Sequence, residues 1–286
     1  VYLITCINER WKLPVGYFLV AGLTAEERAE ITRKILEFIA PSGIEVIAFT
    51  FDGLPANISM CKVLEANILN NKAFLKHPIT GRNIFIFLDA AHMIKLIRNA
   101  FASKRILYDA NDNEINFQFI ENLIKLQEAG CFHLANKVNQ KHLQWAKNKM
   151  NVKLAAHILS ESCAIALEQL LNDKHSDFQG CAATAQFCRM CNNVFDCLNT
   201  RSTFSNNFKK PLSNNTAEKI FNFFTEAIEY FSKIKLKING CFITSTKIKI
   251  GFLGFIIDMN NLKNMFHEYV ETGYLQYILS YKLSQD

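Results

Sequence analysis

No run of apolar residues in this sequence is long enough to read as a membrane span. The longest, Ile250 to Ile257, is interrupted by glycines and is far shorter than the roughly 20 residues a bilayer requires. No G-x-x-x-x-G-K-[ST] and no G-x-G-x-x-G occurs, which disfavours a P-loop NTPase or a Rossmann dehydrogenase. H-E-x-x-H and G-x-S-x-G are also missing, so metalloprotease and α/β-hydrolase readings have no support. A disulfide framework is equally unsupported: the nine cysteines are odd in number and scattered, as expected of reduced thiols in a cytosolic or nuclear protein. Cys188 and Cys191 form a C-x-x-C inside a run that reads as helix. Ligands strung from Cys181 to Cys197 would span about 24 Å, too far to converge on one zinc, so these are expected to be packing thiols. The sequence opens on Val1 without a basic-plus-apolar leader pattern ahead of its first strand, and its last apolar-periodic segment runs to Ser284-Gln285-Asp286 without a Gly or Pro stop. Both ends read as cut, as in a slice of a longer protein.

What is present is a chain of 286 residues, 50% hydrophobic and 20% charged, with a net charge of +6. That composition excludes a disordered chain and allows one large domain or two ordinary ones. Val1–Ile7 and Val15–Val20 read as strand pieces around a Trp11-Lys12-Leu13-Pro14 corner. Thr24-Ala25-Glu26-Glu27 is a capping box, opening a helix with Ile31, Ile35, Leu36 and Ile39 on one face and a stop at Pro41-Ser42-Gly43. Glu45–Phe51 reads as a continuous apolar strand, followed by a second helix after Pro55. Asn83–Leu88 is another strand and Ala91–Ser103 a helix. Apolar strands alternating with helices predict an α/β layer with a partly parallel sheet.

From about residue 106 the spacing turns helical, with helices expected over 117–128, 139–149, 153–171, 181–200 and 216–231. Lys233–Ile238 alternates with period two into Asn239-Gly240, a hairpin signal, with Ile243–Ile250 as its partner strand. Helices from about Gly251 and Tyr274 complete the chain. Two stretches read as basic and unopposed: Lys137, Lys141, Lys147, Lys149 and Lys153 in one, Lys233, Lys235, Lys237, Lys247 and Lys249 in the other. Each alone is an ordinary solvated face; together they favour a polyanionic partner, nucleic acid or nucleotide phosphate.

Chemistry in open α/β sheets gathers at the carboxyl ends of strands. Asp52 and Asp89 each follow such a strand, where facing carboxylates can hold Mg²⁺ and leave room for substrate phosphates. The competing reading is that each simply caps the next turn. For Asp89 the cap, with His92 packed beside it, is the better reading, although His92, Lys95 and Arg98 could face a phosphate. Asp52 gains weight because Gly53 permits close approach and Asn57 can brace the loop.

The blocks WKLPVGYFL, FTFDGLPANISM, FLDAAHMIKLIRNAF, FHLANKVNQKHLQWAKNKMNVKLAAHILS, CRMCNNVFDCLNTR, KIGFLGFIIDM and YKLSQD resemble, in that order, the P-element transposases and their THAP-domain relatives. The resemblance covers nearly the whole chain. It implies an RNase H-like mixed sheet with helices, interrupted by a mostly helical GTP-binding insertion: core over 1–105, insertion over 106–273, and return to the core over 274–286. It implies a DNA transposase that cuts and joins strands with acidic residues and Mg²⁺, in which Asp52 is catalytic and, with Asp286, faces the metal. In the insertion it implies that Phe195 stacks on guanine, Asp196 and Asn199 contact the base, and Lys137 and Lys153 meet the phosphates, with GTP bound but not consumed. The implied partners are transposon-end and target DNA, GTP and a second copy of the full-length protein, with no membrane and a nuclear location.

The sequence departs from the family pattern in three respects. The family's first catalytic aspartate belongs to a strand before Val1, its catalytic glutamate would lie past Asp286, and its zinc-coordinating THAP domain is not in these residues. A decayed or domesticated derivative that binds DNA or GTP without cutting, and a purely structural interaction module, therefore stay open beside the active transposase.

Overall fold

A computed structural model describes residues 1–7, 9–68, 72–130, 134–238 and 240–285. The backbone divides into two compact units: the first holds residues 1–89, 198–221 and 257–286, the second 90–197 and 222–256. These are bounds of contact, whereas the sequence blocks 1–105, 106–273 and 274–286 follow the change of pattern.

In the first unit β1 (Tyr2–Thr5) pairs antiparallel with β2 (Lys12–Gly16), Ile4 opposite Leu13. The second strand therefore begins at Lys12 and includes Pro14, rather than starting at Val15. Proline is tolerated because β2 is an edge, and Pro14 sits at the irregularity opposite Leu3. Tyr17–Val20 lies outside any strand and is exposed, Leu19 to 86%. The capping box forms as expected: Thr24 Oγ1 accepts from Glu27 N and Glu27 reaches back to Thr24 N, opening α1 (Ala25–Ile39). α1 buries Ala29, Thr32, Ile35, Leu36 and Ile39, and Gly43, at φ 77°, ends the following turn in a left-handed conformation that glycine adopts without strain.

β3 (Ala48–Phe51), shorter than the apolar run that contains it, pairs in parallel with β5 (Asn83–Leu88), and β4 (Phe74–Lys76) completes a sheet of order β3-β5-β4. β5 is the central strand, buried from Ile84 to Leu88. α2 (Pro55–Val63) begins on Pro55 itself, as suits a residue with no N–H to satisfy at the first helical position. The first-unit part of α9 (Ile250–Tyr269) backs the sheet: buried Asn261 donates to the carbonyls of Ala73 at 2.7 Å and Ile86 at 2.6 Å.

β1 and β3 each have one edge without a strand partner among the described residues. Between those edges lies a cavity of about 810 Å³, lined by Tyr2, Ile4, Ile35, Ile47 and Phe49 among others. Although its sequence reads as a buried strand, β3 is half-buried from Ala48 to Thr50.

The second unit contains α3 (Ala90–Lys104), the hairpin β6 (Ile106–Tyr108) and β7 (Glu114–Asn116), α4 (Gln118–Ala129), α5 (Val152–Ile158), α6 (Glu161–Asn172) and nearly all of α7 (Ala182–Leu198). α8 (Ala217–Ser232) and α9 contribute residues to both units. Phe101 is the hub, its ring 5.1 Å from Phe117 and 5.2 Å from Phe187, all three fully buried. The β6–β7 hairpin lies ahead of the first helix that the spacing predicts, 117–128, in a stretch with no strand signal of its own. The turn residues explain it: Asp109 Oδ1 accepts from Asn111 N and Asn113 N, an aspartate turn that closes the loop.

Three other expectations are corrected in form. Residues 139–149 make a short 3-10 turn, Gln140–His142, followed by successive turns, because this lysine- and asparagine-rich run offers little apolar surface to bury. The Lys233–Ile238 hairpin reduces to single bridges, Lys235 to Tyr108 and Lys235 to Phe242; Ile243–Ser245 is a 3-10 turn and Asn239 lies outside the described residues. Past Gly273 the described chain forms a bridge at Ile278 and a 3-10 turn, Ser280–Leu283, rather than an α-helix.

Val152–Asn172 is long and apolar enough to cross a membrane by length and composition. It is divided between α5 and α6, where Ser160 caps α6 through Cys163 N, and half of its most apolar window is buried inside the protein. An interior helix pair accounts for both facts.

Candidate functional site

The register of the parallel pair sets Phe51 beside Leu88. Asp52 and Asp89 therefore leave the sheet side by side, and Asp89 N donates to Phe51 O at 2.9 Å. Asp52 Oδ1 accepts from Asn57 Nδ2 at 2.7 Å and, more weakly, from Leu54 N at 3.4 Å. Asn57 comes from the first turn of α2, so the brace expected from the sequence is formed. Asp52 Oδ2 takes no hydrogen bond among the described residues, which leaves an oriented carboxylate oxygen half-open to solvent.

The end of the chain arrives at the same strand ends. Thr50 Oγ1 donates to Leu283 O at 2.9 Å, and Ser284 Oγ donates to Asp89 Oδ1 at 2.8 Å. Asp89 is buried. Asp286 lies outside the described residues. Sequence reading missed a third carboxylate: Asp258, on α9 and fully buried, accepts from Leu88 N at 2.8 Å. Burial pushes its carboxyl well above the usual carboxylate range, and the neighbouring Asp89 adds to the rise. Nothing in the run FLGFIIDMNN singles this residue out, since only the tertiary fold brings it against β5.

Among the described residues no group of three His, Cys, Asp or Glu side chains converges as a metal cluster. The donor set here is a single open carboxylate beside a second one already hydrogen-bonded. That fits Mg²⁺, which takes one or two carboxylates together with substrate phosphates, better than a metal needing a complete protein cage. The thiols are packing residues as expected: Cys163, Cys181, Cys188, Cys191 and Cys197 are buried, and burial pushes all five up, Cys163 to about 12.

In the second unit, Lys137 and Lys153 are exposed, and both act on the ring of His157 from nearby, so these two residues are brought together. Phe195 and Asp196 occupy the last turn of α7, both half-buried, with Asn192 Nδ2 donating to Asp196 Oδ2 at 3.1 Å. Asn199 lies just past the end of α7, within the first unit, where its Oδ1 accepts from Arg201 Nε at 3.2 Å. Of the two basic stretches, 233–249 is not unopposed: Lys233 pairs with Glu229 and Lys235 with Asp112. Lys137, Lys141, Lys147, Lys149 and Lys153 have no carboxylate partner among the described residues.

Two family models match the chain: "TNP-like, RNase H N-terminal domain" over residues 1–65 and "TNP-like, GTP-binding insertion domain" over 91–211. Among curated relatives, the DNA transposase THAP9 of Homo sapiens is 31% identical over 96% of this chain and 31% of its own length. The Transposable element P transposase of Drosophila melanogaster is 23% identical over 98% of this chain and 36% of its own. The chain thus spans about a third of the length of these relatives. A solved structure titled "Drosophila P element transposase strand transfer complex" matches with a TM-score of 0.81 at 22% identity, covering 99% of this chain and 61% of that one. The fold is the mixed α/β, RNase H-like architecture of that protein, and the chain carries TNP-like RNase H and GTP-binding insertion domains in a region similar to P-element and THAP-type DNA transposases.

Proposed function

We propose that this chain is part of a DNA transposase that cleaves and joins DNA strands, with Asp52 as a catalytic carboxylate and GTP as a bound, unconsumed cofactor. The observation that carries the reading is the meeting of β3, β5 and the chain end: Asp52 stands braced by Asn57 where Ser284 reaches Asp89. There Asp52 and, past Ser284, Asp286 would hold Mg²⁺, which when bound supplies Lewis-acid activation of a phosphodiester. Asp52 itself does the orienting: with Oδ1 tied by Asn57, its Oδ2 has a fixed direction at an open strand end.

The cavity between β1 and β3 supports the expectation that a further strand, supplied from outside residues 1–286, completes the sheet. Its flanking edges have no strand partner among the described residues, and its walls carry apolar side chains of both strands, Tyr2 and Ile4 from one and Phe49 from the other. In this reading 1–105 and 274–286 are parts of the RNase H-like core and 106–273 the insertion. Phe195, Asp196 and Asn199 would take the guanine by stacking and by hydrogen bonds to its Watson–Crick edge, while Lys137 and Lys153 meet the phosphates. DNA, a second copy of the full-length protein and a nuclear location go with the same reading. The test is Mg²⁺-dependent cleavage of transposon-end DNA by the full-length protein; cleavage undiminished in Asp52→Ala would remove Asp52 from the mechanism. A derivative that binds without cutting would bind GTP and DNA normally and show no cleavage under any divalent cation.

A further inference from the structure

The second unit holds a cluster of positive charge that the proposed function touches only at its rim. His142 is buried, and its Nε2 lies 3.3 Å from Nδ1 of His157, the two rings stacked with centroids 5.5 Å apart. Asn139 fixes the first ring: its N–H donates to His142 Nδ1 in a capping-box arrangement. The same Nδ1 also lies 3.1 Å from Asn139 O and 3.1 Å from Asn139 Oδ1, so the ring is held in place on that side while Nε2 faces His157.

The groups facing the pair are cationic. Arg98, from α3, and Lys141 act on His142; Lys137 and Lys153 act on His157. Among the described residues no carboxylate is found acting on either ring, and Glu128, on α4, is engaged by Gln140. Burial first, and then these like charges, hold His142 down at about 4 and lower His157 as well, against backbone hydrogen bonds to Asn139 and Lys137 that favour the charged rings. Arg98 adds a second, independent observation. Its side chain is fully buried, Nε donates to Asn99 Oδ1 at 2.9 Å and Nη2 to Asn148 O at 2.8 Å, yet Nη1 is buried without an acceptor among the described residues. A buried donor left unfilled inside an uncompensated cationic cluster is the condition that an anion relieves. A metal ion would enter against four like charges with only two nitrogen donors to receive it.

We infer that this cluster is an anion site of the phosphate class in which binding is coupled to proton uptake: a polyphosphate held by Lys137 and Lys153 draws a proton from solvent onto the His142–His157 pair. The inference rests on the reading that Lys137 and Lys153 meet the nucleotide phosphates, and adds a proton-linked partner to them. The bound negative charge offsets the field that keeps the rings neutral, so affinity rises as pH falls, by up to about tenfold per pH unit for one coupled proton.

The test is calorimetric titration of the 286-residue chain with GTP and, separately, with inorganic tripolyphosphate at pH 7.5. Two buffers of different ionisation enthalpy give the protons taken up per ligand, in the parent and in His157→Gln, whose half-buried ring is the safer one to replace; circular dichroism checks the fold. The nucleotide's own ionisation is the same in both proteins and cancels in the difference. The expected result is uptake in the parent that is lost in His157→Gln, with affinity in the variant no longer rising between pH 8 and pH 6. Equal uptake in both proteins overturns the inference and leaves the nucleotide reading intact. Tripolyphosphate binding with His157-dependent uptake but no GTP binding supports the inference and overturns the nucleotide reading. Binding of neither ligand overturns both.

Discussion

Asn57 Nδ2 lies 2.7 Å from Asp52 Oδ1, so a residue on the first turn of α2 fixes a carboxylate at the end of β3. The two positions are joined by a short loop that Pro55 starts into helix, and the brace follows from that local geometry. In full-length protein, Asp52→Ala is expected to abolish strand cleavage. Asn57→Ala is expected to lower it by roughly 10–100-fold, the usual cost of removing an outer partner that orients a metal ligand. DNA cleavage assays in Mg²⁺ read both, and an Asn57→Ala protein with parental activity would show that the brace is incidental.

The Asp196 carboxylate, held by Asn192, sits on the last turn of α7. Loss of a charged hydrogen-bond partner costs about 1.5–3 kcal/mol. Asp196→Ala is therefore expected to weaken GTP binding by roughly 10–100-fold while leaving tripolyphosphate binding unchanged. Fluorescent-GTP titration with tripolyphosphate competition measures both, and equal loss for the two ligands would move Asp196 from base to phosphate recognition.

Asp258 gives the first unit a pH dependence with an unusual sign. In the unfolded chain its carboxyl ionises near pH 4, whereas burial keeps it protonated far higher in the folded protein. Above about pH 4 the unfolded state therefore sheds a proton that the native state retains, and this group's contribution to stability falls as pH rises. Asp258→Asn keeps an acceptor for Leu88 N and removes the ionisation. Urea denaturation at pH 5 and pH 8 should show a smaller loss of stability with pH in the variant than in the parent.

Thiol chemistry should separate the cysteines by burial. Cys241 is exposed and Cys6 half-buried, whereas Cys61, Cys163, Cys181, Cys188, Cys191 and Cys197 are buried. A thiol reagent applied to native protein is expected to label Cys241 first and the buried six only on denaturation. A chelator should leave the melting temperature unchanged. A fall in that temperature with zinc release would reinstate the C-x-x-C as a ligand pair.

Phe101→Ala is expected to destabilise the second unit by about 3–5 kcal/mol, because a fully buried ring between Phe117 and Phe187 leaves a cavity. Denaturation followed by near-ultraviolet circular dichroism reads the loss.

The sequence by itself determined those elements whose signals are local. Thr24 and Glu27 specify their helix start by hydrogen bonds three residues apart, Asn83–Leu88 declares a buried strand by unbroken apolarity, and Asn57 lies near enough to Asp52 in sequence for the brace to be expected. The motif blocks carried the resemblance to the P-element and THAP-type transposases. Tertiary structure alone decided what depends on distant pairing. It shortened β3 and left its edge open beside a cavity, because a strand's burial is set by its neighbours rather than by its own side chains. It made turns of 139–149, where helical spacing lacked an apolar surface to bury, and closed 106–116 into a hairpin on an aspartate turn that periodicity does not report. It also brought Asp258 to Leu88 across 170 positions and His142 to His157, contacts that no spacing rule encodes because each is the product of folded elements meeting.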